Sequence, residues 1–449
     1  MKNLSLILLL FLSIIYNPLF AQNTQLDYYT FGEGLNFVNE NESRVTIRGY
    51  IQPYFDFKIY SDTTTRGSFW NVQRTSPVYR TRLRRLRLRI TGTSANKKFS
   101  YKFQTDLTGN SEVDGLDNGF LLDACIAYHF TKKIKLSFGQ RATPTDNREL
   151  LMGSNSLMFV ERSKLTSAFA SIREFGFFLD ATIKIASQRY IKPSLTLTNG
   201  DGVNNTFQDH GGLKYGARLD FIPFGLFTNF GQFRQSDLVR ENSPKFVFGG
   251  YFSHNEGMSS RRGRGSGEII FLNADFEESL PDYQKYGIDF LFKFKGISIL
   301  GEYIKSRSFI PSDLAYYVRN DGTFSSGVTE SDSNFPNNKM ILGKGYNIQL
   351  GYVFNNRFSL DFRYTHLNSD RYSFLNNNTF YNRPNHYTVG ISKYLSKRYG
   401  FKIQASATLI KLGEGANANI VTGNSIEPYS QPIVGGHELM YRLMTTFSF

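Results

Sequence analysis

Apolar and polar residues alternate with a period of two along most of the chain. Between 45 and 59, Val45, Ile47, Ile51, Phe55 and Phe57 fall on one face of an extended segment, and Arg48, Tyr50, Gln52, Tyr54 and Asp56 on the other. Leu86, Leu88 and Ile90 alternate with Arg85, Arg87, Arg89 and Thr91. Phe99, Tyr101, Phe103 and Leu107 oppose Ser100, Lys102, Gln104 and Asp106, and Tyr286, Ile288, Phe290, Phe292 and Phe294 oppose Lys285, Asp289, Lys293 and Lys295. This is the strand period. Charges on one face and rings on the other predict strands that separate water from lipid, because those charges are not tolerated in hydrocarbon.

The segments between strands come in two lengths. Short ones fall at Ser94–Lys98, Thr131–Lys133, Lys295–Gly296, Asn355–Asn356 and Ser396–Gly400. Long ones fall near 60–79, 109–120, 142–170, 199–212, 255–282, 309–342, 368–382 and 412–435. Short turns alternating with long loops predict an all-β, transmembrane, antiparallel up-and-down β-barrel. Parity sets the count. Reading Leu226–Phe233 as a strand gives seventeen and puts the Lys295–Gly296 turn on the long-loop side. Assigning 225–243 to a longer inner connection gives sixteen strands with both ends on one side. The chain closes on such a segment, His437 to Phe449. Its aromatic last residue resembles the terminal signal of barrels inserted by an assembly machine.

No stretch after Ala21 approaches the ~20 apolar residues of a membrane helix, yet the chain holds 42 Phe and 27 Tyr. Rings spread evenly over short strands suit a lipid-facing barrel. A soluble β-sandwich needs a polar outer face on each strand. At the start, Lys2, the apolar run Leu4 to Ile15 and Ala21 match an export signal over 1–21. Residues 22–44 are then expected as an N-terminal periplasmic segment and 45–449 as the barrel. The expected location is the cell outer membrane of a Gram-negative bacterium.

The formal net charge is +14, and loss of 1–21, with Lys2 its one charged side chain, leaves +13. Such a balance fits nucleic acid, an anionic membrane surface, or small anions in a channel. The positions decide against nucleic acid: Arg and Lys recur on the face opposite the rings, and the densest tract, Arg261-Arg262-Gly263-Arg264-Gly265, lies in a long loop. The single Cys125 forms no internal disulfide. Enzyme signatures are missing from the sequence. The six His are scattered, and no HExxH, Walker A or GxSxG motif occurs. No catalytic residue, cofactor or metal is expected, and the Asp201-Gly202 and Asp209 cluster reads as a turn.

Several stretches together resemble the phosphate-selective porin O and P family. They are Glu33-Gly34-Leu35-Asn36-Phe37 followed by Val45 to Gln52; Arg84-Arg85-Leu86-Arg87 with Lys102-Phe103-Gln104-Thr105-Asp106; Asp123 to Tyr128 with Leu136 to Gln140; Glu161-Arg162-Ser163 and Arg173 to Gly176; and Tyr286 to Asp289, Lys295-Gly296 and Gly301-Glu302-Tyr303. The resemblance spans nearly the whole chain after residue 21. It implies sixteen strands, a homotrimer, a third outer loop near 142–170 folded inward as a constriction, and passage of anions, phosphate or polyphosphate in the best-known members. One departure stands out: Gly139-Gln140-Arg141 is followed by Ala142-Thr143-Pro144-Thr145, without the Phe that often follows Pro in the family.

A pore needs lumen charges of one sign that bind and release. Arg48, Arg85, Arg87, Arg89 and Lys102 share the lumen parity on three adjacent strands, and Arg141, Arg148, Arg162 and Lys164 flank or occupy the third loop. Guanidinium groups suit oxyanions because a planar fork binds two oxygens at once. These nine are the anion-pathway candidates. The competing reading pairs them with lumen acids such as Asp56, Asp106 and Asp123. The expected function is passive diffusion of small solutes with anion preference; expected partners are outer-membrane lipid, lipopolysaccharide, small anions and the barrel assembly machinery. The alternative is a surface-exposed barrel that acts as an adhesin or binding protein through its outer loops.

Overall fold

The computed structural model describes residues 33–60, 77–108, 120–203, 210–259, 270–318, 322–326, 335–376, 383–411 and 437–449. The signal-like segment 1–21 and the tract Arg261–Gly265 lie outside them.

Sixteen antiparallel strands close a barrel: β1 (Arg44–Tyr60), β2 (Val78–Thr93), β3 (Phe99–Asp106), β4 (Leu121–His129), β5 (Ile134–Ala142), β6 (Arg173–Ala181), β7 (Tyr190–Thr198), β8 (Lys214–Ile222), β9 (Lys245–Asn255), β10 (Asp282–Phe294), β11 (Ile297–Phe309), β12 (Gly343–Val353), β13 (Phe358–Ser369), β14 (Asn385–Tyr394), β15 (Phe401–Lys411) and β16 (His437–Ser448). Each pairs with its sequence neighbour. β16 closes on β1 with Tyr50 opposite Ser448 and Ile51 opposite Phe447. The last residue extends this seam, its amide donating to the Gly49 carbonyl at 2.9 Å. Closure leaves no strand edge, the condition for spanning a bilayer with sheet.

Period two holds along the wall. In β10 every odd residue is buried toward the lumen, and Tyr286, Ile288 and Phe290 face out. Ile288, Leu360 and Val389 are each more than half exposed on the outer face. The predicted short turns all join neighbouring strands at one end, where the barrel also begins and ends. At Lys295 and Gly296 both residues take positive φ, 48° and 94°, the mirror-image two-residue turn whose twist matches a hairpin. Residues 223–244 form no strand, as parity requires. They carry a short 3-10 turn, Thr228–Phe233, and fold inward.

The packed core lies inside the barrel. The connection from β5 to β6, residues 143–172, is buried almost throughout and carries two short helices, α1 (Arg148–Leu151) and α2 (Lys164–Phe169). The Ser163 hydroxyl caps α2 by accepting from the Thr166 amide at 3.2 Å. The apolar face of α2, Leu165, Ala168 and Phe169, packs on Tyr251, Ile304 and Leu367 of the lumen wall. Beneath it, Met152 meets Ile222, Phe227, Val247, Leu291 and Leu300. Residues 35–38 pair back onto 44–47 at the short-turn end. At the long-loop end, Ile270–Asn273, Leu314–Val318 and Phe324–Ser326 form a separate small sheet.

Candidate functional site: a cation-lined lumen

The lumen wall divides into two kinds of charge. Along β8 to β15 the cations hold the inward segment. Arg148 of α1 reaches Asp289 and Asp220, each at 2.8 Å, and Arg218 contacts the same two carboxylates. Lys285 binds Asp146. The Lys402 ammonium donates to the Leu157 carbonyl at 2.7 Å, and Arg363 reaches Glu149 at 3.0 Å. These groups are buried and bonded, as buried charge must be.

Glu149 organises the segment itself. Its carboxylate accepts from the Ser163 amide and hydroxyl and from the side chains of Thr166, Gln235, Gln349 and Arg363. Burial opposes its ionisation, but the Arg363 and Arg162 guanidiniums outweigh it and hold the carboxyl well below the ordinary range. Arg162 donates to the carbonyls of Glu149 and Met152.

A β-bulge adds one feature that alternation hides. Gln52 pairs with Arg85 and Pro53 with Leu83, so Arg84 is the extra residue. A bulge re-aims a side chain. Arg84 and Arg85 are both fully buried and meet one carboxylate, Glu161, at 2.5 and 2.9 Å. Burial works against that carboxylate, yet Arg84, Arg85 and Arg442 bring its pKa from 4.5 down to about 2.

Between the inward segment and the short-turn end lies a cavity of about 560 Å³. Its described lining holds ten Lys and Arg and no Asp or Glu: Arg48, Arg87, Arg89, Lys102, Arg162, Arg173, Arg234, Lys293, Lys397 and Arg398. Some are paired away from the cavity. Arg87 binds Asp106 at 2.8 Å, and Lys102 and Arg173 share Asp123 at 2.9 and 3.1 Å. Arg48 donates to the Glu33 carbonyl at 2.8 Å, and Arg398 binds the Glu33 carboxylate at 2.7 Å. Arg89 stands directly opposite Arg48 in the β1–β2 ladder, a like-charge pair that opposes folding unless an anion intervenes. Arg234 faces the same group: burial lowers its pKa, and Arg89 and Arg398 lower it further against the opposing pull of Tyr399.

Of the nine candidates, five line this cavity: Arg48, Arg87, Arg89, Lys102 and Arg162. The other four lie elsewhere. Arg85 is turned to Glu161 and Gln52, Arg148 opens α1 and binds Asp220 and Asp289, Arg141 pairs with Asp180 at 2.8 Å, and Lys164 opens α2, half-buried. The competing acid pairing holds for Asp106 and Asp123, whereas Asp56 takes Arg80 instead. The sequence reading missed Arg173, Arg234, Lys293, Lys397 and Arg398. Lys293 was legible from parity; Arg234 and Arg398 sit in connections, where period two says nothing.

Lipid-facing rings outside, a closed hydrogen-bond ladder and a charged, partly filled lumen define a transmembrane β-barrel. The family model described as "Phosphate-selective porin O and P" matches residues 63–232, bearing out the family resemblance for the motifs within that stretch; those at 33–52 and 286–303 lie outside the match. Solved structures of similar shape include the outer membrane channel DcaP of Acinetobacter baumannii (11% identity, covering 92% of this chain and 99% of that one, TM-score 0.49). Another is OmpT of Vibrio cholerae in a trimer form (9% identity, 90% and 99% covered, TM-score 0.44). A third is OprB of Pseudomonas putida (8% identity, 89% and 94% covered, TM-score 0.48). The chain has no match among curated proteins.

Proposed function

We propose that the protein is an anion-preferring diffusion pore of the Gram-negative outer membrane, exported by residues 1–21. The carrying observation is the cavity lined by ten cations and no described carboxylate. Field lines focused in a low-dielectric channel raise the local concentration of anions, and groups already partly paired release them again. The inward segment, in this reading the constriction, fills the β8–β15 side. The segment also touches β1 and β2, where Tyr50 and Arg87 meet Ser154 and Arg84 and Arg85 meet Glu161, so in this reading solute passes through the cavity beside it, along Arg48, Arg87, Arg89, Lys102 and Arg173. Phosphate is one solute that fits such arginines, and the family name supports it. The same resemblance supports a homotrimer.

Liposome swelling tests the reading. Vesicles holding the purified protein swell faster in an anionic solute than in a neutral or cationic one of matched size. Equal rates contradict anion preference, and no swelling removes the pore. A surface-binding barrel is the second reading. It is favoured by the small outer sheet, where Phe276 stacks on Tyr316 at 4.9 Å and Phe324 packs edge-on at 5.4 Å. It predicts folded protein without swelling.

A further inference from the structure

The cation-lined cavity is also ringed by aromatic side chains, and one of them is presented by strained backbone. Tyr50 lies beside Arg87, whose guanidinium carbon is 6.0 Å from the ring centre, and Tyr399 beside Arg234 at 5.2 Å. Each pair sets an apolar face next to a positive group. The 3-10 turn Thr228–Phe233 supplies two more rings, Phe230 and Phe233.

Within that turn Asn229 and Phe230 take φ of 51° and 56°, consecutive left-handed residues without a glycine. A bulky side chain is uncommon there, and such strain persists only where surroundings impose it. They do so here. The Thr228 amide and hydroxyl donate to the Glu241 carboxylate at 2.7 and 2.8 Å, and the Lys293 ammonium donates to the Gly231 carbonyl at 3.0 Å. The result is a Phe230 ring that lines the cavity and is 75% exposed. Burying that ring among apolar neighbours is the ordinary outcome of folding. Holding it in a cation-lined space instead gives a ligand both an apolar face and a charge partner.

Building on the pore reading above, we infer that this cavity is a binding site for organic anions that carry a flat apolar group, with Phe230 as a specificity-determining residue. The anionic head sits among Arg89, Arg234 and Arg48, and the ring covers Phe230. Chloride or phosphate uses only the first half of the site.

The test compares benzenesulfonate with methanesulfonate, equal in charge and head group, as blockers of chloride current through the reconstituted protein. Benzenesulfonate blocks at about tenfold lower concentration, the return on covering one ring. In Phe230→Ala the two sulfonates converge, while Arg234→Gln weakens both together. Equal block by both in the wild type, or a ratio unchanged in Phe230→Ala, overturns the inference while leaving the pore intact. If no current is seen, the pore reading falls, and calorimetric titration of the detergent-solubilised protein with the same two sulfonates decides the site. Tighter benzenesulfonate binding that Phe230→Ala abolishes supports it, and equal or absent binding overturns it.

Discussion

Removing the carboxylate of Glu161 tests how the inward segment is held. Arg84 and Arg85 are 1% and 0% exposed, and Glu161 is the carboxylate that meets both. In Glu161→Gln two buried guanidiniums lose their counter-charge. The size of the loss follows from the carboxyl itself: a pKa brought from 4.5 to about 2 corresponds to about 3 kcal/mol of favourable interaction. Breaking a buried ion pair from one side typically costs about 3–5 kcal/mol, so the two figures agree. The segment keeps its other anchors, Arg148 on Asp220 and Asp289, Lys285 on Asp146 and Arg363 on Glu149. The barrel therefore still forms, and the loss appears as a lower unfolding free energy in urea titrations on lipid vesicles. The pH dependence carries a definite sign. A depressed carboxyl contributes fully above its unfolded value of 4.5 and loses that contribution as pH falls toward about 2. The gap between wild type and Glu161→Gln is thus constant from pH 7 to 5, narrows below 4.5, and closes near 2. A gap under about 0.5 kcal/mol at neutral pH, near the size of an ordinary surface change, would refute the reasoning. A gap that stays constant down to pH 2 would do the same.

Three further outcomes follow from the same geometry. Arg48→Gln combined with Arg89→Gln lowers the chloride-to-potassium permeability ratio, whereas Lys402→Met, which removes a bonded wall cation on the filled side, leaves that ratio alone and costs about 1–3 kcal/mol in urea titrations. Ile288→Arg places a charge on the lipid face of β10 and costs about 2–4 kcal/mol if that face meets the bilayer core, read by folding into vesicles; a cost near zero would put the residue outside the membrane. Lys295→Asn, at a left-handed turn position of φ 48°, raises stability by about 1 kcal/mol in the same titration.

Much of the barrel was legible because the bilayer imposes a simple rule. Lys285, Asp289 and Lys293 against Tyr286, Ile288 and Phe290 can be satisfied only by a wall with water on one side and lipid on the other. Parity then assigned 225–243 to a connection, although Leu226–Phe233 looks locally like a strand; the structure turns it inward at two left-handed residues instead. The same periodicity placed Arg48, Arg85, Arg87, Arg89 and Lys102 in the lumen correctly.

What alternation cannot show is which lumen charge meets which partner. Arg84 reads as outward by parity and points inward because one bulge shifts the register. Arg85 shares parity with Arg87 and Arg89, yet it is bound to Glu161, more than seventy residues away in a connecting segment. Arg234 reaches the cavity only because residues 223–244 fold inside. Each of these depends on where a non-periodic segment packs. The aromatic component of the cavity was hidden for the same reason, since Phe230 and Tyr399 lie between strands.

The most direct test is the reversal potential of the wild-type protein in a planar bilayer across a potassium chloride gradient. A lumen whose open cavity carries ten cations predicts discrete steps with a reversal potential displaced toward that of chloride. Steps reversing at the potassium side, or folded protein that gives no steps, would contradict it.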